Sequence, residues 1–262
     1  MNGRPALKRR SSYSPQSPQE EFIVPLLKTA VEFHLDRLLQ PAPPGRQLKL
    51  LDVGCGSQPF RAQIESRGAT YLSLDVSAQN GCKIDFITRF DSPDLVAGVI
   101  EAGPYDIILC SEVLEHVAEW HNAFANFARL LAPDGYVVVS CPHFFPLHEE
   151  PYDYWRPTPH ALRYFAEKHG LSVEFEEKLG SGWDVVGTIL ARQIFISGSR
   201  SLGSRILSRL FTIIRRLSFR WLRSRFPQRQ VLDCGPYFLA NFAVLQMKRS
   251  ANSAPTTLPP IP

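Results

Sequence analysis

Apolar residues recur at helical spacing from Phe22 to Leu39, at Val24, Leu27, Ala30, Val31, His34, Leu35 and Leu38, and QPAPPG at 40–45 predicts where that helix stops. Beyond it the pattern shortens. KLLDVG (49–54), TYLSLDV (70–76), CKIDFI (82–87), YDIILCS (105–111) and YVVVSC (136–141) are apolar runs of strand length. The stretches between them are long enough for helices, and HNAFANFARLL (121–131) is the most amphipathic. Strands that are apolar on both faces and alternate with helices predict a parallel sheet covered on both sides. LSVEFEEKL (171–179) and YFLANFAVLQMK (237–248) supply two more strands, so the expected fold is α/β, a doubly wound and mostly parallel seven-stranded sheet.

Before the last strand stands SRSLGSRILSRLFTIIRRLSFRWLRSRF, an insertion expected to span 185–230. Wound at about 100° per residue, Leu202, Ile206, Leu210, Ile213, Ile214, Leu217 and Trp221 share one broad face. Arg205, Arg209, Arg216, Arg220 and Arg223 fall on one flank. An apolar face bordered only by arginine suits a helix lying in an anionic membrane surface, here through residues 202–226, whereas a helix docked on its own domain usually mixes both signs of charge. Residues 1–20, basic and rich in Ser, Pro and Gln, are expected to be a disordered arm, 21–248 the domain, and the Pro-rich 249–262 a flexible tail.

Charge sharpens this division. The chain of 262 residues carries a net charge of +4, but residues 185–232 hold ten arginines and no acid. Residues 20–184 hold 13 basic against 24 acidic residues, a net charge of −11. So acidic a body is a poor surface for nucleic acid. The basic start (Lys8, Arg9, Arg10) leads into polar SSYSPQSPQEE rather than an apolar leader, and no apolar run reaches membrane-spanning length, so a cytoplasmic place is expected, peripheral at the inner membrane face. Cys55, Cys82, Cys110, Cys141 and Cys234 have no metal-ligand spacing, and their odd number argues for reduced, buried thiols.

LLDVGCGSQPF (50–60) places a glycine turn after the first strand, where backbone approaches a ligand beyond the sheet's carboxyl edge. A dinucleotide fingerprint needs a third glycine where Pro59 stands. Asp75, at the end of the second strand, is placed to accept both hydroxyls of a ribose, so a nucleoside fits better than a pyrophosphate. LLDVGCGSQPF, LSLDVS, YDIILCSEVLEHV and LLAPDGYVVVSCP, in this order, resemble the successive motifs of class I S-adenosylmethionine-dependent methyltransferases over about residues 48–180, with their Rossmann-like fold. The resemblance implies S-adenosyl-L-methionine as cofactor. It implies that Gly54 and Gly56 pass its methionine part, that Asp52 holds its amino group, that Asp75 binds the ribose, and that Asp85 lies nearest the adenine amino group. Cys55 and Ser111 complete the expected cofactor set.

Methyl transfer needs a positioned acceptor and, for a hydroxyl, a base. CPHFFPLHEEPYDYWRPTPHAL (141–162) gathers candidates: His148, Asp153 and His143 for the proton, and Tyr154, Trp155 and Arg156 for the acceptor. Its H-E-x-P-x-D-Y-W-R-x-T segment is similar to one in methyltransferases encoded with bacterial surface-glycan and lipid-sugar pathways. That resemblance implies a sugar hydroxyl of a glycan or lipid-linked saccharide. SEVLEH (111–116) carries a second pattern. Glu112, Glu115 and His116, at i, i+3 and i+4, are expected on one helical face and could ligate a divalent metal with His148. Ubiquinone-pathway O-methyltransferases and small-RNA methyltransferases carry a similar E-x-x-E-H. The metal is the less favoured reading, and a ubiquinone-type phenol is the alternative acceptor. A scaffold without catalysis is the third reading, against which intact Asp52, Gly54, Gly56 and Asp75 stand.

Overall fold

The computed structural model describes residues 13–40, 46–78, 81–195, 202–225 and 236–248. The N-terminal part of the expected arm, most of QPAPPG, the tail and Cys234 lie outside the described residues. The chain runs α1 (Glu20–Leu38), β1 (Lys49–Val53), α2 (Arg61–Ser66), β2 (Thr70–Asp75), β3 (Phe86–Ile87), α3 (Ala97–Ala102) and β4 (Tyr105–Ser111). A 3₁₀ turn (Leu114–His116) leads to α4 (Trp120–Leu130), β5 (Leu131–Pro142), α5 (Pro159–Lys168), β6 (Leu171–Leu179), α6 (Gly182–Phe195), α7 (Leu202–Arg225) and β7 (Ala240–Met247).

The seven strands form one sheet in the order β3-β2-β1-β4-β5-β7-β6. All neighbours are parallel except β7, which runs antiparallel between β5 and β6. From β1 the chain winds first toward β2 and later to β4 on the other side. The carboxyl ends of β1 and β4 therefore border a crevice at the switch point, where ligands of such sheets sit.

Because side chains alternate across a strand, apolar runs fill two layers. Leu51, Val53, Ile108, Cys110, Val137 and Val139 face one layer, against Phe124 and Phe127 of α4 and Leu162 of α5. Leu50, Ile107, Leu109 and Val138 face the other, against Leu27, Val31 and Leu35 of α1. Each fully buried large side chain of this kind contributes about 1.5–3 kcal/mol. Among the described residues four cysteines are free; Cys55, Cys110 and Cys141 are buried, while Cys82 is only half-buried.

Three expectations change in the structure. β3 shrinks to two residues because Asp85 Oδ2 accepts the Ser73 N–H (3.0 Å) and Oγ–H (2.8 Å), occupying a donor a longer ladder would use. β5 begins earlier, at Leu131, because Leu131 pairs with Tyr105 before an irregular step at Pro133–Gly135, where Asp134 has φ 65°. The arm ends sooner than expected: Tyr13 packs on Phe60 with ring centroids 4.9 Å apart.

The insertion forms α6 and α7 on the α1 side of the sheet. Gly187 of α6 meets Phe22, where an added Cβ would stand 2.4 Å from the ring. α7 docks by Phe219, edge-on to Phe22 at 5.3 Å, and by Arg215 and Arg216, which donate to Glu21 at 2.9 and 2.6 Å. No helix among the described residues is long and apolar enough to cross a membrane.

Candidate functional site

The glycine turn after β1 folds back over β2. Gly54 (φ 66°) and Gly56 (φ 49°) take the left-handed conformation that glycine adopts without strain. Gly54 N–H donates to Leu74 O at 2.8 Å, and Gly56 N–H to Asp75 Oδ2 at 3.0 Å. A Cβ on Gly54 would lie 2.3 Å from Val113 Cγ2, so the absence of a side chain lets this turn touch the loop that follows β4.

Two joined clefts open here. The first, about 220 Å³, is lined by Asp52, Cys55, Ser111, Glu115 and His148, and closed from above by Tyr13 and α1. The second, about 120 Å³, is lined by Asp75, Val76, Arg89, Phe90 and Asp91. They share Gly54, Gly56, Glu112, His116 and Glu149. Among the expected cofactor residues, Asp52, Gly54, Cys55, Gly56, Asp75 and Ser111 thus border one continuous space.

Asp52 is almost fully buried, and the Tyr71 hydroxyl donates to its Oδ2 at 2.6 Å. Burial pushes its pKa up to about 7, the Tyr71 hydrogen bond pulls it down, and the charge of Asp75 raises it again. A carboxylate so poorly solvated gains when a cationic group arrives beside it. Burial likewise pushes the Tyr71 phenol and the Cys55 thiol up, which keeps both neutral.

Asp85 borders neither cleft, since its carboxylate ties the β3 approach to Ser73. The second cleft has Asp91 on its wall instead, whose buried carboxylate takes two hydrogen bonds from Arg89, at 3.0 and 2.7 Å. Arg89 and Asp91 lie in TRFDS after β3, where no periodic signal marks them.

Beyond β4 the expected helical face does not form. Glu112 adopts φ 56°, rare for a residue with a side chain, and only a 3₁₀ turn follows. Its carboxylate accepts from Ser140 Oγ at 2.9 Å, and Ser140 Oγ lies 2.9 Å from Ser111 Oγ. Glu112 is therefore not grouped with Glu115 and His116. The group that forms is Glu115, His116 and His148, with one ligand atom of each inside 4.8 Å. Glu115 is fully buried, its Oε1 has no hydrogen-bond partner among the described residues, and burial, then the Glu112 charge, pushes its pKa well up. His116 Nδ1 faces Tyr152 O at 3.0 Å, so that nitrogen holds the proton, and burial favours the neutral ring.

The segment after β5 folds back over this turn, with Tyr154 N–H donating to Glu115 O at 2.8 Å. Arg156 clasps Asp153 with two 2.6 Å bonds, and His148 N–H adds a third at 3.0 Å. Burial works to raise the Asp153 pKa, but these donors outweigh it and hold the carboxyl below its usual range. Asp153 is thus spoken for and does not stand ready to take a proton. It also lies 3.2 Å from His148 Nδ1, which Pro146 O approaches at 3.2 Å. Both neighbours are acceptors, so Nδ1 carries the proton and Nε2, 3.9 Å from Glu115 Oε1, keeps its lone pair at the cleft wall.

Other expected site residues hold the segment together. Trp155 donates to Val117 O at 2.9 Å and packs 5.9 Å from Trp120. Arg156 also donates to Phe145 O at 3.2 Å. His143 stacks on Phe238 at 4.1 Å, with Nδ1 2.9 Å from Pro157 O. Neither these three nor Tyr154 border the clefts. Glu149 (φ 52°), at the junction of the clefts, had no signal beyond its place in the segment.

Residues 27–178 match a family model described as a methyltransferase domain. The chain is similar to the ubiquinone biosynthesis O-methyltransferase of Caulobacter sp. (strain K31), 32% identical over 108 residues, which is 37% of this chain and 42% of that protein. It is also similar to the enzyme of the same name from Pectobacterium atrosepticum, 31% identical over 100 residues, 35% of this chain and 42% of the relative. The match thus spans less than half the length of these curated relatives. In fold the chain is similar to a putative sarcosine dimethylglycine methyltransferase from Galdieria sulphuraria, with TM-score 0.52, 13% identity, and coverage of 92% of this chain and 94% of that one. The O-methyltransferase of a Brevibacillus brevis trans-AT PKS multienzyme, in complex with S-adenosyl-L-homocysteine, gives TM-score 0.52 at 15% identity, covering 95% and 84%.

Proposed function

The chain belongs to the methyltransferase-domain family, and on that footing we propose that it transfers a methyl group from S-adenosyl-L-methionine to a hydroxyl of its acceptor, with His148 removing the proton. The joined clefts support the cofactor. Gly56, where an added Cβ would meet nothing nearer than 4.0 Å, leaves room for a chain to pass; Asp52, poorly solvated, suits an ammonium; Asp75 suits the ribose hydroxyls; and Val76 and Phe90 give the second cleft apolar walls for a base. Asp91, on the wall of the second cleft beside Phe90, takes the role at the adenine that was expected of Asp85. When bound, S-adenosylmethionine supplies a methyl group already activated by its sulfonium centre, so positioning and proton removal are left to the chain.

The observation that carries the reading is the posture of His148. Asp153, itself fixed by Arg156, orients the ring and keeps the proton on Nδ1, which leaves Nε2 free to accept one from a hydroxyl in the first cleft. The acceptor of this reading is a saccharide hydroxyl near a membrane. It is supported by the resemblance of His148–Thr158 to glycan-pathway methyltransferases.

A phenol of the ubiquinone type is the second reading, favoured by the names of the matched relatives and by the cluster of Glu115, His116 and His148. These donors fit a divalent metal: a buried carboxylate oxygen without a partner and two imidazoles whose Nδ1 atoms are anchored to carbonyl or carboxylate oxygens. A metal held there would polarise the acceptor hydroxyl.

The test is mass spectrometry of lipid-linked saccharides, free glycans and polyprenyl phenols incubated with protein and S-adenosylmethionine. A methylated hydroxyl whose yield collapses in His148→Ala, with cofactor affinity retained, is the expected result. Methylation only of amines, or full turnover in His148→Ala, would overturn the assignment of the base.

A further inference from the structure

α7 is mounted back to front for a helix that serves a core. Its docked edge is narrow and partly charged: Arg215 and Phe219 are buried against α1, and Leu222 is half-buried. On a helix turning about 100° per residue, Ile206, Leu210, Ile213, Ile214, Leu217 and Trp221 fall within one arc on the opposite side. Each of these six is between 51% and 62% exposed. Hydrophobic burial therefore does not explain why the richest apolar stripe of the insertion faces outward.

The charge beside the stripe narrows the occupant. Arg209, Arg216 and Arg220 are exposed and lie on one flank, and no acid occurs anywhere in residues 185–232. α6 adds Trp183, Val186, Ile189 and Leu190, also exposed. A second copy docked stripe to stripe would set the exposed Arg209, Arg216 and Arg220 against like charges, with no compensating acid in the insertion itself. A bilayer bearing anionic lipid takes both parts at once, the stripe into the acyl boundary and the guanidinium groups onto phosphates.

We propose that α6 and α7 form a docking surface for anionic membranes, holding the protein peripherally by the outward stripe of α7 and its arginine flank. The surface is joined to the clefts through α1. Glu21 and Phe22 receive α7, while Glu20, Ile23 and Val24 line the first cleft within the same helical turn. A membrane-seated α7 thus holds α1, a wall of the first cleft, next to the helix that lies on the lipid. The docking itself is independent of methyl transfer, so a protein that binds no cofactor would still bind vesicles.

The experiment is flotation of the full chain with phosphatidylcholine vesicles, with and without a phosphatidylglycerol fraction of about one third, at low and high salt. Recovery with the anionic vesicles should exceed that with neutral ones by about tenfold and fall as salt screens the arginines. Leu217→Glu with Trp221→Glu, at exposed positions, should abolish recovery while circular dichroism and thermal unfolding stay unchanged. Arg209→Glu with Arg220→Glu should remove the preference for anionic lipid and leave only weak binding. Equal recovery on both vesicles, or none, would overturn the proposal. So would a dimer, seen by sedimentation without lipid, that Leu217→Glu dissolves, because the stripe would then be an interface between copies.

Discussion

Replacing Asp52 with Asn should make the ligand-free protein more stable at alkaline pH while costing it its ligand. The folded pKa of Asp52 is about 7 against an ordinary 3.8, chiefly because burial strips water from its charge. A group whose folded pKa is raised contributes full stability below its unfolded pKa and loses it as pH rises through the folded one. At pH 5 the unfolded carboxylate is ionised and the folded one is not, a penalty of about 1.7 kcal/mol; at pH 8 both are largely ionised and the penalty is about 4 kcal/mol. Asn removes this titration and still accepts the Tyr71 hydrogen bond. The stability difference between Asp52→Asn and the parent should therefore widen by about 2–3 kcal/mol in favour of the variant from pH 5 to pH 8, measured by urea unfolding. Other titrating groups are common to both proteins and cancel in the difference. A difference that stays constant with pH would mean that the Asp52 charge is not desolvated, and the case for an ammonium subsite would fall with it.

Four further outcomes are expected. Asp75→Ala should weaken S-adenosylmethionine binding by roughly tenfold or more, about 1.5–3 kcal/mol for hydrogen bonds to a charged group, in calorimetric titration; an unchanged dissociation constant would remove Asp75 from the site. His148→Ala should lower kcat by about 100-fold or more with cofactor affinity intact, and Asp153→Asn should lower it less while shifting the pH profile of kcat, since Asp153 acts through the imidazole. Gly54→Ala should both destabilise the fold, by about 1–3 kcal/mol in denaturant titration, and block the cofactor, because its Cβ would strike Val113 at 2.3 Å from a left-handed backbone; an unperturbed variant would contradict the close contact. Removal of divalent ions by a chelator should leave turnover unchanged if His148 is the base, whereas loss of activity restored by added metal would favour the Glu115, His116 and His148 cluster as a metal site.

The sheet was legible in the sequence because its central strands are apolar on both faces, and that composition leaves few other placements. LSVEFEEKL is a strand over its full length, Leu171–Leu179. The lining of the clefts was legible for a related reason: Asp52, Gly54, Gly56 and Asp75 sit at strand ends, so locating β1 and β2 locates them. Features set by a tertiary fold-back were not legible. Glu112 leaves the expected helical face because Ser140, from the neighbouring strand, supplies hydrogen bonds to its backbone and carboxylate that a helix would not. Asp153 looks like a base in the sequence, whereas in the structure Arg156 donates to both of its carboxylate oxygens. Arg89, Asp91 and Glu149 come from irregular loops, where neither a period of 2 nor one of 3.6 can point to them. The apolar stripe of α7 was readable from its spacing, but its outward direction depends on Phe219 and Arg215 choosing α1 as their partner.

The most direct test is calorimetric titration of the full chain with S-adenosyl-L-homocysteine, the demethylated product of the proposed cofactor. A saturable, single-site heat with a micromolar dissociation constant, abolished in Asp75→Ala, is the predicted result. No heat from a protein that unfolds cooperatively would show that the joined clefts hold something else.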